Sequence, residues 1–282
     1  MFLEEAPKIS IQLLPWMASL LIRLKQKLDT LAAESKKALV AYLVAGDPNL
    51  NTTLELMHGF VASGVDIIEL GVPFTDPIAE GPIIQAAHDR ALKTNTSLNQ
   101  IFDLVAEFRK NDTDTPIILM GYINTFLANK KALESIHERG TDAVLIVDVP
   151  GESTLENIGI NNSQIASISL ISPTTDLQRI AKICQTSSGF IYYVTLRGVT
   201  GASNLDADEI EKNITHIRGN TALPVMAGFG IKTAADAKKL SKIADGVVIG
   251  SVLVDMIHKQ SAQKDYKNIY TYLNEISLAI TQ

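Results

Sequence analysis

Along this chain, apolar runs of strand length alternate with segments in which apolar positions return at helical spacing. The runs stand at 38–45, 65–70, 116–121, 143–147, 165–171, 190–194, 224–227 and 246–249. Most are apolar throughout rather than alternating with polar residues, the pattern of parallel strands covered on both faces. The segments between them carry helix-start signals. Ser97 stands three residues before Gln100, and Thr233 three before Asp236, both with capping-box spacing. After Ser97, the residues Leu98, Ile101, Leu104, Val105 and Phe108 form the predicted buried stripe, and Asn99, Asp103, Glu107 and Lys110 face water. Eight strands with crossovers predict the α/β class, as a single-domain (β/α)8 TIM barrel. An extra amino-terminal helix over 20–33 is expected to cover the amino-terminal end of that barrel.

Residues 1–17 read as an extension, poorly ordered or loosely docked, with the catalytic barrel over 18–282 and Met17 as an alternative start. The apolar stretch 11–22 is interrupted by Pro15 and preceded by Glu4 and Glu5, so it reads as neither a signal peptide nor a membrane anchor. A chain of 282 residues, 46% hydrophobic and 20% charged, is long enough to bury one core of this size. The net charge of −6, without a Lys or Arg run, offers no face to nucleic acid. Cys184 is the only cysteine, which excludes internal disulfides and fits a reducing cytoplasm. With Leu177 and Ile180 it shares one helix face, so it reads as a core filler rather than a reactive thiol. His58, His88, His137, His216 and His258 show no metal-ligand spacing, and no metal is expected. The GFGIKT run at 228–233 is an incomplete echo of a nucleotide loop, and Lys232 within it reads as surface charge.

Chemistry concentrates at 67–85, IIELGVPFTDPIAEGPIIQ. Glu69 directly follows the strand residues Ile67 and Ile68, and a carboxylate taken out of water is costly unless paired, hydrogen-bonded or held protonated. A strand-end ion pair is the plain alternative, yet no Lys or Arg lies within the motif. The loop that follows adds Asp76 and Glu80 to the same mouth. Glycine-rich turns then end three successive strands: RGVTG at 197–201, GFG at 228–230 and Gly250-Ser251. Such turns bring backbone N–H groups close to an oxyanion, and Ser251 would open a helix, so a phosphate is the expected guest. Tyr42, Tyr122, Asn124 and Tyr192 lie in or just after strands, where aromatic rings can flank a flat substrate or simply pack the barrel mouth. Asp148 can orient a ligand or hydrogen-bond its own loop.

The segments LVAYLVAGDP (39–48), IELGVPFTDPIAEGPIIQ (68–85), VDVP (147–150), RGVTGA (197–202), AGFGI (227–231) and IGS (249–251) resemble the tryptophan synthase alpha subunit family from about residue 36 onward. The resemblance implies a lyase of tryptophan biosynthesis that cleaves indole-3-glycerol phosphate to indole and glyceraldehyde 3-phosphate. By that resemblance Glu69 is the general acid/base, and Tyr192 matches a tyrosine near the substrate. Thr200 lies in a loop that closes over the substrate. Gly201, Phe229, Gly230, Gly250 and Ser251 hold the phosphate. Glu80 stands where the family usually has Asp, accepting a hydrogen bond from the indole N–H. Its extra methylene can move the carboxylate by about 1 Å, a displacement that can cost roughly a hundredfold in rate. The resemblance also implies no cofactor in this chain, with pyridoxal phosphate on a partner beta subunit. That partner would dock near Asp76 on the 73–80 loop in an alpha2-beta2 tetramer. Two other readings remain at this point: a weakly active or non-catalytic barrel that activates a beta subunit, which Glu80 keeps open, and another phosphosugar isomerase or aldolase. A Schiff-base aldolase needs a strand-borne lysine, and Lys37 only precedes the first strand.

Overall fold

Eight parallel strands close on themselves in sequence order: β1 Ala38–Val44, β2 Ile67–Gly71, β3 Ile117–Gly121, β4 Ala143–Ile146, β5 Ala166–Ile171, β6 Ile191–Val194, β7 Val225–Gly228 and β8 Gly246–Ile249. The structure is a computed structural model and describes residues 22–134, 136–161, 164–194, 207–228 and 230–281. Every predicted run is a strand, with ends moved by two residues at most. The continuous apolar pattern has the expected cause. Val40, Ile67, Ile118, Leu145, Ile168, Met226 and Val248 point inward and pack together. Their neighbours Leu39, Leu43, Ile68, Leu70, Ile117, Leu119 and Val247 belong to the larger core outside the barrel wall.

Helix α1 (Ile22–Ala33) sends Leu24, Leu28 and Leu31, at helical spacing, into the inner cluster. The amino-terminal end of the barrel is therefore plugged, as predicted. The remaining helices are α2 Leu50–Ala62, α3 Pro82–Lys93, α4 Leu98–Phe108, α5 Ile123–Leu127, α6 Lys130–Glu134, α7 Leu177–Thr186, α8 Ala207–Arg218, α9 Ala234–Ser241, α10 Ser251–Gln260 and α11 Lys267–Thr281. Both expected capping boxes form, at Ser97/Gln100 and Thr233/Asp236. The α4 stripe is buried as read, with Phe102 added to it.

Two expectations are corrected. The β4–β5 connection carries turns but no helix among its described residues, since Pro150, Gly151 and Gly159 (φ 80°) break any helical run. Leu177 is 60% exposed at the first turn of α7, so the buried face there is Ile180, Ile183 and Cys184. Cys184 is nevertheless a core residue, and burial pushes its thiol up to about 11. The amino-terminal extension, with Met17, lies outside the described residues.

The closed end is bound by a regular device. Asp66, Asp142, Ser188 and Asp245, just before β2, β4, β6 and β8, each accept a hydrogen bond from a backbone N–H at the start of the preceding strand. The donors are Leu39, Ile117, Ser167 and Val225, at 2.9, 2.7, 2.9 and 2.9 Å. Asp142 also holds Arg23 of α1 at 2.7 Å and Arg109, beside α4, at 3.0 Å. This rim is spent on stability, which leaves the opposite, carboxyl end of the strands for chemistry.

Candidate active site at the carboxyl end of the barrel

Glu69 lies on the inner face of β2, in register between Tyr42 of β1 and Ile118 of β3. Two residues earlier, Ile67 packs in the apolar interior, so the strand's period of two delivers Glu69 to the next level up. It is 2% exposed. Burial, followed by the charge of Glu80, pushes its carboxyl up to about 8. Among the described residues no cation pairs with it.

Glu80 comes from the loop between β2 and α3, one residue before the helix cap Gly81. Burial pushes its carboxyl up to about 7. The loop is held at several points. The Ala79 N–H donates to the Tyr122 hydroxyl at 3.0 Å, and the Phe74 ring stacks on Tyr122 with centroids 4.8 Å apart. The Phe74 N–H donates to His88 Nδ1 at 3.0 Å. The Glu80 N–H donates to the Pro77 carbonyl at 3.0 Å, and Gln85 Nε2 donates to the Glu80 carbonyl at 2.8 Å. Helix α3 is itself braced by a bidentate pair of Arg90 with buried Asp47, at 2.7 and 2.8 Å. This accounts structurally for the Gly46-Asp47-Pro48 motif.

Tyr42 and Tyr192 face the same mouth. Burial and the charges of Glu80 and Glu69 hold the Tyr42 hydroxyl well above its ordinary value, and burial with Glu69 and Glu80 does the same to Tyr192. Each ring leans over the glycine ending a neighbouring strand. A Cβ built on Gly71 would collide with the Tyr42 hydroxyl, and one on Gly228 would lie 2.6 Å from the Tyr192 hydroxyl. Among the described residues the buried Tyr42 hydroxyl has no hydrogen-bond partner.

The anion end adjoins this group. Gly250 caps α10 with no side-chain bond, leaving the N–H groups of its first turn, from Ser251 on, pointing out of the helix. A Cβ on Gly250 would be 3.7 Å from the Tyr42 Cβ, so this helix start borders the carboxylate mouth. Gly230 follows β7 with φ 69°. Thr200, Gly201 and Phe229 lie outside the described residues.

Glu69, Glu80, Tyr42 and Tyr192 are therefore brought together, with Gly250 and Ser251 at the border. Tyr122 is a loop clamp by its contacts. Asp148 is exposed and accepts from the Ile123 N–H at 2.8 Å, which fixes the start of α5 rather than its own loop. Asn124 is exposed on α5. Sequence reasoning missed His88, because the histidines were weighed only as metal ligands. The available signal was a single imidazole between Ala87 and Ala91 on the buried face of α3. Among the described residues no group of three His, Cys, Asp or Glu side chains could hold a metal ion.

Two carboxyl groups that burial shifts toward their protonated forms, in one mouth beside a helix start, suit proton transfer on a phosphorylated substrate. Residues 28–280 match the family described as Tryptophan synthase alpha chain. The tryptophan synthase alpha chain of Marinobacter nauticus is 44% identical over 246 residues, spanning 86% of this chain and 91% of that protein. That of Thioalkalivibrio sulfidiphilus is 42% identical over 263 residues, spanning 92% and 99%. The crystal structure of tryptophan synthase subunit alpha from Legionella pneumophila superposes with a TM-score of 0.84 at 37% identity, covering 92% of this chain and 98% of that one.

Proposed function

Because this chain belongs to the tryptophan synthase alpha chain family, lyases that cleave indole-3-glycerol phosphate in tryptophan biosynthesis, we propose that Glu69 moves the protons and Glu80 faces the indole nitrogen. The observation that carries this assignment is a carboxyl group 2% exposed on the inner face of β2 at the barrel mouth, with no cation paired to it among the described residues, a setting that favours its protonated form. Bond cleavage needs an electron sink in an otherwise stable aromatic ring. Protonated Glu69 gives its proton to the ring carbon bearing the side chain, and the positive charge so created spreads to the ring nitrogen. Ionised Glu80, accepting a hydrogen bond from that N–H, stabilises the charge. The Glu69 carboxylate then takes the proton of the adjacent glycerol hydroxyl. The hydroxyl oxygen closes to an aldehyde, the carbon–carbon bond breaks, and its electron pair restores the ring. One proton is given and one recovered, so Glu69 ends as it began.

Burial raises both carboxyls, and the charge of Glu80 is a further cause that favours the protonated form of Glu69, the direction this division of labour needs. The phosphate is assigned to the N–H groups at Gly250 and Ser251, with Gly230 and, by resemblance, Gly201 and Phe229. Tyr42 and Tyr192 flank the ring. The partner is a beta subunit, in an alpha2-beta2 assembly, and it docks on the 73–80 loop, where Ile78 is 84% exposed. Pyridoxal phosphate would then serve the beta subunit, and this chain needs no cofactor for its own step. No helix among the described residues is long and apolar enough to cross a membrane, which accords with a cytoplasmic setting.

The test is indole release by the purified chain from indole-3-glycerol phosphate. Glu69→Gln should lower kcat by about a thousandfold, within the range of a lost general acid/base. Glu80→Asp should retain or raise activity by restoring the shorter acid. Unchanged turnover in Glu69→Gln refutes its role. A clear loss in Glu80→Asp shows that the longer acid is required.

A further inference from the structure

We propose that His88 is a positioning residue for the cleavage reaction, fixing the β2–α3 loop so that Glu80 meets the indole nitrogen. This rests on the reading of Glu80 given above and extends it to a residue with no assigned role.

His88 is 1% exposed on the inner face of α3. Its Nδ1 accepts from the Phe74 N–H at 3.0 Å, so that nitrogen carries no proton and the neutral ring holds its proton on Nε2. Nε2 is buried with no hydrogen-bond partner among the described residues. An orphaned donor costs stability, and an apolar side chain of similar size would fill the site without that cost. What an apolar residue cannot supply is the acceptor at Nδ1. The histidine is thus kept at a stability cost for one contact with the loop. Burial, only partly opposed by Asp89, holds the imidazole down at about 4, so the acceptor is present at neutral pH.

The contact leads to Glu80. Phe74, tethered by His88, stacks on Tyr122 at an interplanar angle of 18°. The Tyr122 hydroxyl accepts from Ala79, the residue directly before Glu80. The loop is therefore gripped at both ends, at Phe74 by His88 and at Ala79 by Tyr122. Releasing the first grip lets the stack slide and the second bond lengthen. A shift of about 1 Å in a reacting group can lower a rate by roughly a hundredfold.

The test is steady-state indole release by the full chain carrying His88→Leu, His88→Asn, Glu80→Gln or the His88→Leu/Glu80→Gln pair, each with a thermal melt. Asn places its Oδ1 where Nδ1 stands and can accept the same bond. His88→Leu should lower kcat about tenfold or more with KM changed by less than about twofold, the signature of a contact used only in the transition state. His88→Asn should recover to within about threefold of the parent, and His88→Leu should cost nothing further in the Glu80→Gln background. Should His88→Leu melt below the assay temperature, His88→Phe, which fills the site without an acceptor, takes its place. If Glu80→Gln is impaired while the apolar variant keeps kcat, positioning by His88 is overturned and the Glu80 reading stands. Failure of Asn to rescue, or an equal loss in both backgrounds, also overturns it. If Glu80→Gln is unimpaired, the Glu80 reading itself fails and the proposal falls with it.

Discussion

Glu69→Gln should make the protein more stable at neutral and alkaline pH while removing its activity. In the unfolded chain this carboxyl ionises near 4.5, and in the folded chain near 8. The folded state therefore binds the extra proton between those values, and stability falls as pH rises through the window. Each pH unit in the window costs about 1.4 kcal/mol, so holding the carboxylate buried costs under about 1 kcal/mol at pH 5 and about 4 kcal/mol at pH 8. The amide of Gln is never ionised and escapes this cost, although burying its NH2 group takes back about 1 kcal/mol. The variant should match the parent, or fall slightly below it, at pH 5. It should exceed the parent by about 3 kcal/mol at pH 8, an increase of about 1 M or more in urea midpoint. Urea unfolding followed by circular dichroism at pH 5 and pH 8 reads both numbers. A variant destabilised equally at both pH values would refute the reasoning, because Glu69 would then be a satisfied structural group.

Asp142→Ala should destabilise the fold by about 3 kcal/mol, because it takes from Arg23 and Arg109 the buried carboxylate they share, leaving them carbonyl contacts and Asp112, and removes the acceptor of the Ile117 N–H. A loss below about 1 kcal/mol in urea unfolding would show that this buried network contributes little. Tyr42→Phe removes a hydroxyl with no partner among the described residues, so the free protein should be as stable as the parent or up to about 1 kcal/mol more stable. Its KM for indole-3-glycerol phosphate should rise about tenfold, the equivalent of one lost ligand hydrogen bond of about 1.4 kcal/mol. An unchanged KM would assign Tyr42 to packing alone.

The barrel was legible because its strands are buried on both faces, so each appears as an uninterrupted apolar run, and because the cap signals at Ser97 and Thr233 are local in sequence. Glu69 was legible for the opposite reason, as a charge where the pattern allows none. Features made by distant partners were not. Arg23 reaches Asp142 across 119 residues, and nothing near either residue announces the other. Tyr122 offered an aromatic ring at a strand end, and nothing in the sequence announced its bond to Ala79, which shows it supporting the loop. His88 depends on a backbone N–H fourteen residues away, and a backbone donor carries no residue type to read. Leu177 broke its stripe because the first turn of α7 projects beyond the core that Ile180 and Ile183 reach.

The central claim concerns the proton on one carboxyl group, and NMR of the chain labelled with carboxyl-13C glutamate, titrated with Glu69→Gln as the assignment control, measures it directly. The account predicts a Glu69 resonance that titrates with a midpoint near 8. A midpoint near the ordinary 4.5 would contradict it, because the group would already be ionised at neutral pH with no proton to give.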